Sequence, residues 1–250
     1  MRYAVLSDIH ANLEALTAVL QDCASQHIEQ YLCLGDVVGY GAEPIACLAR
    51  LQELNATVVA GNHDAACVGK LDINWFNRMA KQAIEWTRDQ LTFTELDLIR
   101  RWPLRQTVDV FTLVHASLRH PERFEYLVDL AQMIDTLHGC ETLFCLAGHT
   151  HVSCVLEYDQ QERRVMRMLT SMPELAEVTY SDTSAHRYLL NPGSVGQPRD
   201  ADPHASFAIV DTHTHTIAIR RVAYDVAGAQ EKIRRTGLPH MLADRLALGR

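Results

Sequence analysis

The sequence predicts an α/β fold with a parallel sheet and crossover helices. Three units of apolar strand, polar loop and helix follow one another within about 65 residues. The apolar runs are short and continuous, as strands buried on both faces are. Helical spacing of leucines resumes after the first two loops, which places a crossover between neighbouring strands.

In the first unit, residues 2–7 form an apolar run that stops at Ser7-Asp8-Ile9-His10, after which Leu13, Leu16 and Leu20 share one stripe. In the second, Tyr31 to Leu34 ends in Gly35-Asp36. Glu43 is the expected cap of the next helix, Pro44 opens it, and Leu48, Leu51 and Leu54 form its apolar side. The third runs from Thr57 into Gly61-Asn62-His63-Asp64, where Gly61 permits a sharp turn at the strand's carboxyl end. In such sheets ligands gather outside the carboxyl ends of the strands.

The middle of the chain reads as helical, with Phe76, Met79, Ala83 and Trp86 on one face and a capping box at Thr92 and Glu95. Trp75, Trp86 and Trp102 are expected in the core, because aromatic side chains mainly supply buried area. Thr107 to Val114 reads as two short strands or one bent strand, and it delivers His115-Ala116-Ser117 to a loop. A helix carrying Leu130, Met133, Ile134 and Leu137 ends before Gly139. The strand Leu143 to Ala147 then runs into Gly148-His149-Thr150-His151. Strands are expected at 152–158, 164–169, 187–190, 207–211 and 217–222, with a surface excursion from Ser171 to His186. Asp225 caps a last helix whose Lys232, Arg234 and Arg235 are expected to form a solvated face.

With 250 residues, 48% of them hydrophobic, the chain is expected to form one domain over 1–250. The motif-bearing part is 1–158, and 159–250 complete it. No window approaches the roughly 18 apolar residues of a membrane span, and the amino terminus enters a strand without a signal-peptide pattern. Seven cysteines without a Cys-x-x-Cys pair fit a reducing compartment. These features predict a cytoplasmic protein. A formal charge of -8 argues against non-specific nucleic-acid binding, which needs a basic face.

The strand-end loops together offer Asp8, His10, Asp36, Asn62, His63, Asp64, His115, His149 and His151. Packing alone gives no reason for so many carboxylate, amide and imidazole groups to fall where apolar strands stop. Without thiolate, this is a ligand set for Mn, Fe, Zn, Co or Ni. Pure calcium or magnesium sites would not need so many imidazoles.

The order Asp-x-His, Gly-Asp, Gly-Asn-His-Asp, His, Gly-His-x-His resembles that of the calcineurin-like metallophosphoesterase superfamily, from Asp8 to His151. The later Asn191-Pro192-Gly193-Ser194 resembles its small bacterial and archaeal branch. The resemblance implies a four-layer αββα sandwich of mixed sheets with helices on the outer faces, and two divalent or trivalent transition-metal ions at its rim. By position, Asp8, His10 and His151 would hold one metal and Asn62, His115 and His149 the other, with Asp36 bridging. Two cations about 3.5–4 Å apart repel, which calls for such a shared anion. His63 would stay off the metals as the catalytic acid or hydrogen-bond donor, oriented by Asp64. The implied activity is hydrolysis of a phosphodiester, a phosphomonoester or a small nucleotide or polyphosphate. The alternative is a catalytically inactive metal-binding scaffold, whose signature would be lost ligands; none is lost here. A nuclease is disfavoured by the acidic balance.

Several residues keep two readings. Asn12 contacts phosphate or caps the helix at Leu13. Tyr40 lines the pocket or packs on the surface. Asn191 to Ser194 reaches the rim or only turns. Arg119, His120 and Arg123 are candidates for substrate selection, and His213 and His215 are expected to be solvated turn residues. An edge strand near the carboxyl terminus makes a homodimer possible.

Overall fold

The computed structural model describes residues 1–172 and 176–250. The first three strands, β1 (Arg2–Leu6), β2 (Gln30–Cys33) and β3 (Thr57–Val58), pair in parallel, linked by helices α1 (Leu13–Ala24) and α2 (Pro44–Glu53). A six-residue helix, α3 (Asn62–Cys67), leaves β3, and α4 (Arg78–Gln90) and α5 (Phe93–Arg100) follow. The stretch Thr107 to Val114 resolves into parts of two strands, β4 (Arg105–Val108) and β5 (Phe111–Val114), folded into an antiparallel hairpin. Then come α6 (Leu130–His138), β6 (Phe144–Leu146), β7 (Cys154–Asp159), β8 (Arg164–Thr170), β9 (Ala176–Thr179), β10 (His186–Asn191), β11 (Ala205–Asp211) and β12 (Thr216–Val222). Helices α7 (Val226–Arg235) and α8 (His240–Asp244) close the chain.

These strands form two six-stranded mixed sheets, ordered β3-β2-β1-β11-β12-β9 and β4-β5-β6-β10-β7-β8. The period of two along each strand divides side chains between layers. Tyr3 and Val5 of β1 meet Phe111, Phe144 and Tyr188 of the other sheet in the core between the sheets. Ala4 and Leu6 face the opposite way, onto Leu16 and Val19 of α1 and Leu48 of α2. On the far side, Val114, Cys145 and Leu189 pack against Met133 and Leu137 of α6. Three apolar layers between four layers of secondary structure make an αββα sandwich.

Several expectations need correction. Glu43 precedes α2 but its side chain does not cap it; its carboxylate instead binds Lys232, which also pairs with Glu14. Lys232 is therefore not simply solvated, whereas Arg234 and Arg235 form exposed pairs with Asp244 and Glu231. The stretch Ser171 to His186 is more than a surface excursion. It supplies β9, antiparallel to β12, and buries Met172, Val178 and Tyr180 between the sheets; residues 173–175 of that stretch lie outside the described residues. Trp86 and Trp102 pack half-buried against the core. Trp75 does not: it sits on a 3-10 turn ahead of α4, off the helix's apolar stripe, and is 77% exposed.

Asp211 ties β11 to its neighbour β1 at the centre of the first sheet. Its carboxylate accepts from Arg2 Nε at 2.8 Å and from the amides of His213 and Thr214 at 2.8 and 3.2 Å. Burial would raise this carboxyl, but Arg2 and the two turn amides outweigh burial and hold it down at about 2, below its ordinary 3.8. Ionised Asp211 therefore stabilises the fold above the unfolded value, and that contribution is lost as pH falls toward the folded one. Asp211→Asn is expected to cost about 1–2 kcal/mol at neutral pH. Urea unfolding across the acid range should show the gap to wild type narrowing as Asp211 protonates.

Candidate metal centre

Both sheets deliver polar residues to one place. Asp8 and His10 follow β1, Asp36 follows β2, and Asn62 and His63 open α3 just beyond β3. From the other sheet, His115 follows β5, while His149 and His151 follow β6. All eight are buried. In one half of the cluster His151 Nε2 lies 3.1 Å from Asp8 Oδ1 and 3.3 Å from His10 Nε2. In the other half His115 Nε2 lies 3.1 Å from both Asn62 Oδ1 and His149 Nδ1. Asp36 Oδ2 stands between them, 3.7 Å from His10 Nε2 and 3.5 Å from His115 Nε2. The structure thus brings together all seven expected metal-binding side chains and His63, in two groups that meet at Asp36.

Each carboxylate is divided between scaffold and cluster. Asp8 Oδ2 accepts from Ser7 Oγ at 2.6 Å and His149 N at 3.0 Å, which leaves buried Oδ1 without a hydrogen bond. Asp36 Oδ1 accepts from His63 N at 2.8 Å and leaves Oδ2 in the cluster. Two glycines make these approaches possible. A Cβ at Gly148 would lie 1.9 Å from Ser7 Oγ, and one at Gly61 would lie 2.1 Å from Asp36 Oδ1. Five of the cluster residues, Asp8, His10, Asp36, His149 and His151, have left-handed backbone with φ between 50° and 65°. Strain of this kind, roughly 1–3 kcal/mol per residue, persists only where surrounding structure fixes it. Here β2's loop does so: Asp8 N donates to Gly35 O, His10 N to Asp36 O and Ala11 N to Val37 O, at 2.8–3.0 Å.

The calcineurin-like phosphoesterase superfamily domain matches residues 1–215 of this chain. The chain belongs to that superfamily. An uncharacterised protein of Methanocaldococcus jannaschii, MJ0912, is 38% identical over 99% of this chain and 98% of its own length. The crystal structure of a metallophosphoesterase from Sphaerobacter thermophilus superposes with a TM-score of 0.85 at 37% identity, with complete coverage of both chains. A hypothetical protein of Pyrococcus horikoshii, PH1004, shares the fold at a TM-score of 0.80 and 20% identity, over 100% of this chain and 98% of that one.

The donor set of this cluster fits a metal on its own chemistry. His10 Nδ1 faces Val38 O at 3.2 Å, His115 Nδ1 faces Leu34 O at 2.7 Å and His151 Nδ1 faces Gln197 O at 2.6 Å. A carbonyl only accepts, so each Nδ1 carries a proton, and a neutral ring, as at His10 and His151, turns its Nε2 lone pair into the cluster. Without a cation, His10 and His151 Nε2 would confront each other as two acceptors. Burial lowers the basicity of His10 and His151, and it takes His149 down to about 3 and His63 to about 4. Burial would raise Asp36, but His115, His63 and His10 outweigh it and keep its carboxyl well below the usual range. Neutral imidazoles facing ionised carboxylates are the states metal binding requires. His115 goes the other way: burial pulls it down, yet Asp36 and Asp8 prevail and raise it to about 9. The counter-charge of the buried carboxylates therefore falls on this ring, and a cation would displace its proton.

The remaining predicted residues divide clearly. Asp64 does not orient His63: its oxygens accept from Val37 N, Val38 N and Gly61 N at 3.0–3.2 Å, which pins the loop after β2 to the start of α3. The His63 ring is held instead between Tyr40, at 4.4 Å between centroids, and Phe76, at 5.1 Å. Tyr40 lines the cleft above the cluster. Asn12 is a cap, its Oδ1 accepting from Ala15 N and its amide donating to Gly196 O. Asn191 and Ser194 support the site from behind, donating to Gly148 O and Asp8 O. Of Arg119, His120 and Arg123, only Arg123 lines the cleft; Arg119 pairs with Asp135 and His120 lies near Glu122. His213 and His215 sit in the turn between β11 and β12, away from the cluster.

Sequence reasoning missed Arg199, Gln197 and Tyr126. Arg199 lines the cleft with its Nη2 on Gln197 Oε1 at 3.1 Å and its buried Nε without a partner. Its position six residues after Gly193, on the same loop that supports Asp8 and His151, is the signal that could have found it.

Gly148→Ala should test the cradle. Overpacking at this contact is expected to cost about 1–3 kcal/mol and to loosen metal binding. Gly139→Ala is the control, since its new Cβ meets nothing nearer than 3.5 Å. Equal melting temperatures and metal contents for the two variants would contradict the cradle.

Proposed function

We propose that the chain is a metal-dependent phosphoesterase that hydrolyses a small phosphomonoester, phosphodiester or nucleotide at this cluster. The observation that carries the proposal is the pair of donor groups meeting at Asp36 Oδ2. In this proposal Asp8, His10 and His151 hold one cation, Asn62, His115 and His149 hold a second, and Asp36 is shared. Paired divalent cations supply Lewis-acid neutralisation of phosphoryl charge and acidify water.

The chain's own residues do the rest. Neutral Asn62 adds no negative charge, so one half of the site keeps more attraction for an anionic substrate. Arg199, at the cleft wall without a carboxylate partner among the described residues, orients phosphoryl oxygens as a forked donor. His63 Nδ1 is buried without a hydrogen bond and turned toward Gly39, which directs the other ring nitrogen to the cleft. Because burial keeps this ring neutral, its role is to donate a hydrogen bond to the departing oxygen as charge develops there. The buried walls limit water around that oxygen and strengthen the donation.

Purified protein loaded with Mn or Ni is expected to hydrolyse bis-p-nitrophenyl phosphate or p-nitrophenyl phosphate, and Asp36→Ala to lower kcat/KM by roughly 10²-fold or more. Hydrolysis no faster than that variant's, in protein shown by elemental analysis to carry metal, would sink the proposal. His63→Ala is expected to retain metal and to lose turnover most for poor leaving groups. Loss of metal in that variant would make His63 a ligand instead.

A further inference from the structure

Above the cluster the cleft has a volume of about 260 Å³, slightly below the usual range of small-ligand pockets. Two loops contribute aromatic rings to its mouth. Trp75 comes from the 3-10 turn ahead of α4 and is 77% exposed. Tyr126 follows the 3-10 turn Pro121–Arg123; one face of its ring stacks on His149 at 3.9 Å and 20°, and the residue remains 46% exposed. Two cations join them. Arg199 lies at the wall, and Arg123 lines the cleft with only a loose pairing to Glu125 at 3.7 Å.

An indole left this open is placed against the hydrophobic effect, whereas Trp86 and Trp102 are half-buried in the same fold. The segment that carries it is well anchored: Asp72 caps the turn through Asn74 N at 2.9 Å, and Asn77 caps α4 through Met79 N and Ala80 N. The ring is thus presented by ordered backbone. Capping also occupies the Asn77 side-chain carbonyl, and the mouth offers flat apolar faces and positive charge. Planar rings with open edges suit such a surface, because stacking needs no hydrogen-bond match. We infer that Trp75 and Tyr126 form a stacking rim for the base of a nucleotide whose phosphate is held over the cluster, with Arg123 and Arg199 meeting its phosphate oxygens. This rests on the phosphoesterase reading above and names its substrate class. A long polynucleotide is disfavoured by the small cleft and the net charge of -8.

Two measurements test it. The first is independent of turnover: adenosine 5′-(α,β-methylene)diphosphate is titrated into the full-length, metal-loaded protein while tryptophan fluorescence is followed. Saturable quenching is expected in the wild type and its loss in Trp75→Phe, because Trp86 and Trp102 are half-buried and do not line the cleft. Quenching that survives in Trp75→Phe, or that ribose 5-phosphate produces equally well, overturns the inference. The second compares two esters with the same leaving group, thymidine 5′-(p-nitrophenyl phosphate) and methyl p-nitrophenyl phosphate. Trp75→Ala, at an exposed position, is expected to raise KM for the nucleoside ester about tenfold with kcat retained, and to change the methyl ester less than about twofold. An equal effect on both esters, or no nucleoside preference in the wild type, overturns the stacking rim but leaves the phosphoesterase reading standing. Failure to hydrolyse either diester or the monoester p-nitrophenyl phosphate, with quenching intact, sinks the phosphoesterase reading and leaves the rim as a nucleotide-binding site.

Discussion

The fold depends on keeping two almost wholly buried carboxylates ionised. Burying a charge is costly unless hydrogen bonds and opposite charge compensate. Asp8 and Asp36 meet part of that demand in the same way, each giving one oxygen to a backbone N–H, with a hydroxyl added at Asp8, and leaving the other turned into the cluster, where a cation would complete the compensation. The arrangement connects the sheets, since His149 at the end of β6 donates its amide to Asp8 at the end of β1. Loss of either carboxylate would leave amides buried without acceptors as well as remove a ligand.

The same division explains the strain. A loop residue of ordinary φ would direct its side chain along the strand or out to solvent, whereas the left-handed residues at positions 8, 10, 36, 149 and 151 fold the backbone back over the strand ends. Such turns need external support, and the molecule supplies it from three directions. The β2 loop binds the β1 loop, Asp64 binds the β2 loop, and the segment from Asn191 to Gln197 binds both Asp8 and His151. Asp64 shows how a residue in a metal-binding motif can serve the backbone. Burial and the nearby Asp36 push its carboxyl up to about 7 despite three amide donors, so its task is to bridge loops.

Most of the fold and the cluster was legible in the sequence because both are written locally. Apolar runs ending in Asp-x-His or Gly-Asn-His-Asp mark strand ends without reference to anything distant, and period-two burial fixes which residues face which layer. What was not legible depends on contacts between distant segments. Glu43 has the sequence position of a cap, but Lys232, almost two hundred residues later, takes its carboxylate. The polar stretch after Ser171 looks like a loop until β12 offers it an edge. The family resemblance implies that Asp64 orients His63, yet the helical start of α3 turns it toward another loop. Trp75 has the composition of a core residue, and only the turn that carries it shows otherwise. Arg199 and Tyr126 belong to no apolar period at all; their meaning comes from the cleft they line.

Charge explains how such a site can select small anions inside an acidic protein. On the proposed occupancy, two carboxylates leave two divalent cations with a net positive charge, and Asn62, being neutral, does not reduce it. Arg199 adds to this local positive charge at the cleft wall. The rest of the chain carries the excess of acidic groups behind the formal charge of -8. At physiological ionic strength the screening length is about 8 Å, so a small phosphate ester within the cleft experiences mainly the cations and guanidinium groups. A long polyanion must lay many phosphates over the surrounding surface and meets its negative charge as well. On the proposed occupancy, buried carboxylates, a neutral amide and the Arg199 guanidinium would thus act together, holding positive charge at short range in a chain whose net charge of -8 disfavours large anions at long range.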